Sequence, residues 1–241
     1  MGFKSSFNNK LLDYLDIHAG RTAVIFGNGP TLNEFSYDTI PEEEDDIITL
    51  GTNSIVFHEN LSLDYYFCGD NNKKVQSRRA ELEGLSQFDA TMACHASGRI
   101  KRQIFCCTLI DGKRHAAHFT QQEADAMGAI SYEITHIHRG EIFAKRIDEN
   151  RVCGHSIIFS CFQFALFAGC KKIYVVGCDG AGSKETFREL NRPWPGSPHT
   201  YLWKSFREFA NLYYPDVRIV SINPHQLRKF FHEDIFSDYR E

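Results

Sequence analysis

Short, unbroken apolar runs alternate along the chain with polar stretches, the pattern of strands buried on both faces of a parallel sheet. Residues 23–26, 47–50 and 63–68 predict the first three strands, and 171–177 and 217–222 two later ones. Apolar positions at Phe7, Leu11, Leu12, Leu15 and Ile17 predict a short amphipathic helix over 7–18. The run 157–168 is apolar on nearly every face, so it predicts a buried helix, stopped by Gly169. In 201–214, Leu202, Phe206, Phe209 and Leu212 share one face of a further helix. The polar stretch 33–46 ends in Glu42 to Asp46 and predicts a solvated loop, and 73–85 an exposed helix. Between 86 and 150 the pattern weakens: 90–96 and 103–110 predict strands, 120–127 a short helix, and 131–138 an alternating strand. Asn223-Pro224 breaks the last strand, and a polar amphipathic tail follows. Strands and helices in this alternation predict an α/β fold, an open, mostly parallel, Rossmann-like sheet with helices on both faces. We take 1–241 as a single domain, with 180–198, rich in glycine, proline and charge, as a lid loop within it.

The first strand runs into Gly27-Asn28-Gly29-Pro30-Thr31. Proline suits the first helical position, so the reading is strand, tight turn, helix N-terminus. Such a turn aims backbone N–H groups and the positive end of a helix at a phosphate; the alternative is a plain strand-to-helix turn without a ligand. The dinucleotide fingerprint is not met: Leu32 stands where a third glycine would allow close packing. The second strand leads into neutral Asn53 instead of an acidic residue for the ribose. NAD is therefore excluded as the expected ligand.

The first three strands finish in small polar residues, Asn28, Asn53 and Asp70. In an open parallel sheet those ends line one crevice, where ligands bind. Arg151 and Gly154-His155-Ser156 precede the buried helix, and Ser156 is a natural N-cap with free N–H donors beside it. Asp179 follows the strand 171–177, and Arg188 and Arg192 lie in the lid. His199 stands between lid and helix, where a neutral imidazole would serve either as a general base near pH 7 or as a helix cap. His115, His118, His136 and His138 lack the cysteine framework or HExxH helix of a zinc site and are read as surface or hydrogen-bonded histidines.

Composition narrows the classes. A net charge of −4 without a Lys/Arg stripe gives no field for nucleic acid. Eight cysteines without a C-x-x-C sit in apolar runs, which is core usage in a reducing compartment. The N-terminal residues lack a signal-peptide apolar core, and no run is long enough to span a bilayer. A cytoplasmic chain with at most peripheral membrane association is expected, acting as a homo-oligomer.

Three pieces together carry a resemblance: residues 24–32, residues 172–179, and His199 with its helix followed by Asn223-Pro224. They resemble the bacterial CMP-sialic-acid-dependent sialyltransferases of glycosyltransferase family 42. A looser similarity, through the Gly-x-Gly-Pro-Ser/Thr-Leu turn, is to motility-accessory-factor glycosyltransferases and the MptE-like hydroxymethylpterin pyrophosphokinases. The resemblance implies a nucleotide-binding domain that takes a CMP-sugar, needs no essential metal, and inverts the anomeric centre in transfer to a glycan acceptor. Its expected setting is lipopolysaccharide or capsule biosynthesis. It places Asn28 and Asn53 on nucleotide-contacting asparagines, Asp70 near a third, Arg151 and Ser156 on an arginine and a hydroxyl before the buried helix, and His199 on the general base. The lid departs from the pattern: tyrosines expected at the leaving phosphate are absent from 180–198, which has Lys184, Arg188, Arg192 and Trp194. A pyrophosphokinase would instead need ATP, magnesium and an acidic pair, such as Asp70 and Asp179. A non-catalytic nucleotide-binding module would not need His199.

Overall fold

The structure, a computed structural model, describes residues 9–29, 32–33, 35–40, 46–71, 85–136, 142–148, 151–154, 156–178 and 200–222. Its centre is one sheet of eight strands, β1 (Thr22–Phe26), β2 (Ile47–Thr52), β3 (Leu63–Cys68), β4 (Ile100–Ile110), β5 (Ile130–Thr135), β6 (Arg151–Cys153), β7 (Lys172–Val176) and β8 (Arg218–Ser221). Their order across the sheet is β6-β5-β4-β3-β2-β1-β7-β8, and every pairing is parallel. The chain builds outward from β1 to β6 and then crosses back to lay β7 on the other side of β1. That reversal is the topological switch point where open α/β sheets leave a crevice at the carboxyl ends of their strands.

Side chains of a strand alternate between faces, so β1 divides its apolar residues between two cores. Ala23 and Ile25 join one, with helices α3 (Ile157–Phe167) and α4 (Thr200–Tyr213). Val24 and Phe26 join the other, with α1 (Gln87–Ala96), α2 (Gln121–Ala126) and a short 3-10 turn, Asn53–Phe57. Helices thus cover both faces of an open parallel sheet, as the strand pattern predicts. On the first face, α3 is buried nearly all round. Its one long polar side chain, Gln163, is satisfied inside the core: it accepts from Ala144 N–H at 2.8 Å and donates to the Phe159 carbonyl at 2.9 Å. A ladder of rings joins α3 to α4, with Phe159 against Trp203 at 4.9 Å and Phe162 against Phe206 at 4.7 Å between centroids.

Two sequence expectations are corrected. Residues 90–96 are not a strand but the greater part of α1. Ser86 caps that helix by accepting from Asp89 N–H, and Gln87, Ala90, Thr91 and Cys94 are buried at helical spacing. The helix expected over 7–18 is, in the described part, a 3-10 segment, Asn9–Tyr14, followed by turns. Leu11 is buried, but Leu12, Leu15 and Ile17 are exposed, so the apolar residues do not form one core-facing stripe. Within the stretch read as a solvated loop, Ile40 is buried and anchors the chain before β2. The three-residue edge strand β6 has no apolar run to announce it. Of the helix expected over 73–85, all but Leu85 lies outside the described residues, as does the whole tail after 222. None of the described helices is long and apolar enough to cross a membrane.

Candidate functional site

The crevice is built first by the contact of β1 with β7. Gly27 N–H donates to the Val176 carbonyl at 2.8 Å, and Gly29 N–H to the Gly177 carbonyl at 2.6 Å. A Cβ on Gly27 would lie 2.5 Å from the Gly177 carbonyl oxygen and 2.6 Å from Cys178 Sγ, so only glycine lets the two strand ends close. Gly177 has a φ of +65°, the left-handed conformation that favours glycine. This corrects one expectation: the amides of Gly27 and Gly29 are spent on β7 and are not free to cradle a phosphate.

Asn28 sits between those two glycines and turns toward β2. Its Nδ2 donates to the Thr52 carbonyl at 3.1 Å and to Thr52 Oγ1 at 3.2 Å. A carbonyl can only accept, so the amide nitrogen must face Thr52 and Oδ1 must face the other way. Oδ1 is buried and has no hydrogen-bond partner among the described residues. A buried acceptor left unpaired costs about 1–3 kcal/mol, which a bound donor group would recover.

Asn53 and Asp70 meet directly. Asn53 has a φ of +41°, a conformation asparagine tolerates better than most residues. Its Nδ2 donates to Asp70 Oδ2 at 3.1 Å, its Oδ1 accepts from Gly69 N–H at 3.0 Å, and its carbonyl accepts from the buried Tyr66 hydroxyl at 2.8 Å. Tyr66 is held in turn by Gln87 Nε2 at 2.8 Å. Asp70 carries a second neighbour that sequence reasoning passed over: His118 Nε2 lies 3.6 Å from Asp70 Oδ1. Burial lowers the His118 pKa below its ordinary value, outweighing the opposite pull of Asp70, while His115 adds to the lowering, so the ring is neutral near pH 7. Beneath this corner, burial raises the Cys68 thiol well above its usual range and pushes Cys107 up to about 12. These thiols stay protonated and are packing groups, in line with their apolar surroundings.

The N-terminus of α3 comes to the same corner. A Cβ on Gly69 would touch Ile157 Cδ1 at 2.7 Å, so the first residue of α3 lies over the end of β3. Ser156 occupies the N-cap with extended backbone, but its side chain makes no capping hydrogen bond. The hydroxyl expected to cap is therefore not committed to its own helix. Gly154, just before it, donates its N–H to the Thr135 carbonyl at 3.0 Å and has a φ of +124°.

The structure thus brings Asn28, Asn53 and Asp70 together around the ends of β1, β2 and β3, with Gly27, Gly29 and Ser156 at the rim. It does not bring Arg151 to them. That side chain stands on the edge strand β6, 3.8 Å from Glu133 Oε2 of β5. Five strand spacings separate β6 from β1, about 24 Å. Pro30, Thr31, His155, Asp179, Arg188, Arg192 and His199, and with them the lid 180–198, lie outside the described residues. Thr52 was not singled out from the sequence and announces itself only as the residue before a strand-end asparagine; His118, read there as a surface or hydrogen-bonded histidine, is largely buried and lies beside Asp70.

No protein-family model matches the chain, and no curated protein matches it. Solved structures do. The sialyltransferase CST-II in complex with a trisaccharide acceptor and CMP is 16% identical, with 88% of this chain and 85% of that one covered and a TM-score of 0.52. CstII from Campylobacter jejuni in complex with the substrate analogue cytidine-5'-monophosphate is likewise 16% identical, over 88% and 84%, at 0.52. A variant of CST-II in complex with CMP is 18% identical, over 88% and 85%, at 0.53. At such identities the likeness is one of fold: this chain shares its open α/β architecture with these sialyltransferases over most of its length.

Proposed function

We propose that the chain is an inverting glycosyltransferase that moves a sialic acid or related nonulosonate from a CMP-sugar to a glycan hydroxyl. The observation that carries this reading is the Asn28 amide, fixed by Thr52 at the switch point of the sheet with a buried Oδ1 that has no partner among the described residues. An uncharged acceptor in that place suits a neutral donor group of a nucleoside or sugar. The shared fold adds support, since the neighbouring sialyltransferases are in complex with CMP.

In the proposed chemistry His199 takes the proton of the attacking acceptor hydroxyl, a task that suits a neutral imidazole near pH 7. The packing of α4 favours this role. Its first residue, Thr200, follows His199, and Trp203 in its first turn packs at a tilt against Phe159 in the first turn of α3. Arg188 and Arg192, from a lid over 180–198, would meet the charge that builds on the leaving phosphate. Ser156 and the first amides of α3 would face that phosphate from below.

The test is isothermal titration with CMP, CDP, UDP, GDP and ATP, each with magnesium and with EDTA. Preferential, metal-independent binding of CMP supports the proposal. Binding of ATP alone, and only with magnesium, would replace it with a pyrophosphokinase. Preference for UDP or GDP would retain a glycosyltransferase and change the donor. A His199→Ala protein should then keep its CMP affinity while transfer falls by roughly 10²–10⁴.

A further inference from the structure

The segment after β3 is stapled to the segment after β4. Asn71 N–H donates to the Ala117 carbonyl at 2.6 Å, Phe119 N–H to the Gly69 carbonyl at 3.3 Å, and Asp70 and His118 form an antiparallel bridge. Asn71 Nδ2 donates to Glu123 Oε1 at 2.8 Å, while Glu123 Oε2 closes the capping box of α2 with Thr120. Residues 111–117 are exposed throughout, yet the His118 side chain is only 10% exposed. Its Nδ1 is buried without a partner among the described residues. Enclosing a polar ring in this way is unfavourable by itself, so the question is what the ring holds.

The ring lies against a carboxylate. Asp70 Oδ2 accepts from Asn53 Nδ2 at 3.1 Å, and Oδ1 faces His118 Nε2 at 3.6 Å, while the side chain stays 49% exposed. Asn53 comes from the end of β2, Asp70 from β3 and His118 from the return after β4, so three strand ends fix one acidic group. We infer that His118 is a positioning residue of the crevice, which sets the Asp70 carboxylate so that its open face accepts hydroxyl or amino groups of a sugar nucleotide. This inference rests on the reading of the crevice as a nucleotide-sugar site. The geometry favours hydrogen-bond acceptance over a separate structural task, because the Asn53 amide donates to one carboxylate oxygen, the imidazole lies near the other, and about half of the side chain stays exposed at the crevice.

The charged and titratable groups around the ring are Asp70 from the β3 end and His115 in the same loop, whose ring centroid lies 5.5 Å away; Glu123 and Arg114 stand one shell out. The pairing is first checked without ligand. In an NMR titration, Asp70→Asn should lower the imidazole pKa of His118, since it removes the attraction that raises it; an unchanged value overturns the pairing. Binding of CMP and of CMP-N-acetylneuraminate is then compared in wild type, His118→Ala, His118→Gln and Asp70→Asn by calorimetry. His118→Ala should weaken one of the two ligands by about threefold or more. His118→Gln, which keeps an N–H donor, should restore most of the loss, and His118→Ala should add little in the Asp70→Asn background. Affinity for CMP-N-acetylneuraminate, whose phosphodiester does not titrate in this range, should change between pH 5 and 7 in wild type and change less in His118→Gln, and His115→Gln should keep the wild-type profile. Wild type that binds both ligands while every His118 variant binds them equally well would overturn the inference and leave the function proposal standing. Wild type that binds neither ligand would overturn the function proposal and with it the sugar-nucleotide role of His118, leaving the pairing to the titration alone.

Discussion

Asn28→Ala should weaken CMP binding while leaving the fold nearly as stable as before, because the amide contributes with opposite signs to the two. In the free protein, Nδ2 makes two hydrogen bonds to Thr52, at 3.1 and 3.2 Å. Each is worth about 1 kcal/mol net. Against them stands the buried Oδ1, without a partner among the described residues, whose desolvation costs about 1–3 kcal/mol. Alanine removes all three terms, so the change in unfolding free energy should stay within about 1 kcal/mol. In the complex, Oδ1 gains its donor, and alanine forfeits about 1–3 kcal/mol, roughly 5- to 150-fold in affinity. Asn28→Asp makes the orientation visible: a carboxylate facing the Thr52 carbonyl is repelled, so this variant should lose both stability and affinity. Urea unfolding gives the first quantity and calorimetry with CMP the second. An Asn28→Ala protein that binds CMP as tightly as wild type would refute the reasoning, and so would one that loses several kcal/mol of stability without a change in affinity.

Gly27→Ala should lower the urea midpoint by an amount equal to about 1–3 kcal/mol, because its Cβ would lie 2.5 Å from the Gly177 carbonyl oxygen and the two strand ends must part; an unchanged midpoint would remove the close-contact argument. Ser86→Ala removes the cap of α1 and should cost about 1 kcal/mol by the same measurement, with CMP affinity unchanged. The buried His18 is bonded to the Tyr65 hydroxyl at 2.7 Å, and burial, with Arg102 and Arg21 nearby, lowers its pKa to about 4. Its folded-state pKa lies below the ordinary 6.5, so the unfolded chain binds the proton first; stability is complete above 6.5 and falls as pH drops toward 4. Urea midpoints between pH 7 and 4 check this, and His18→Gln should show a shallower fall than wild type.

The central strands were legible because a strand buried on both faces is apolar nearly throughout: 23–26 and 173–176 hold no charged residue, and the one in 63–68, Asp64, is buried and accepts from Thr49. The edge was not. β6 is three residues long, and only its pairing with β5 makes it a strand. The helix over 90–96 was missed because its decisive signal lay outside that window, in Ser86, which caps the helix by accepting from Asp89 N–H. Of the candidate site, only the strand-end positions were legible. Asn28, Asn53 and Asp70 were found from their places at strand ends, and the structure joins Asn53 to Asp70. His118 is 48 positions from Asp70 and meets it only because β4 pairs with β3 and the chain turns back over that edge. No local pattern carries such a contact.

The glycine turn divides its polar groups between the sheet and the crevice. Gly27-Asn28-Gly29 looks like a phosphate cradle, yet two of its amides already donate to Val176 and Gly177. Those bonds zip β1 to β7 at the switch point, and the turn then presents a side chain, Asn28, rather than a row of backbone donors. A leaving phosphate needs donors all the same, since charge accumulates on it as the glycosidic bond breaks. Along the described rim they are found at the start of α3, where Ser156 leaves its own helix uncapped and Ile157 rests against Gly69. The division of labour follows: the β1 turn would read the neutral part of the nucleotide, and the α3 terminus, helped by lid arginines, would carry the charge. On this argument Ser156→Ala should depress turnover more than CMP affinity, whereas Asn28→Ala should do the reverse.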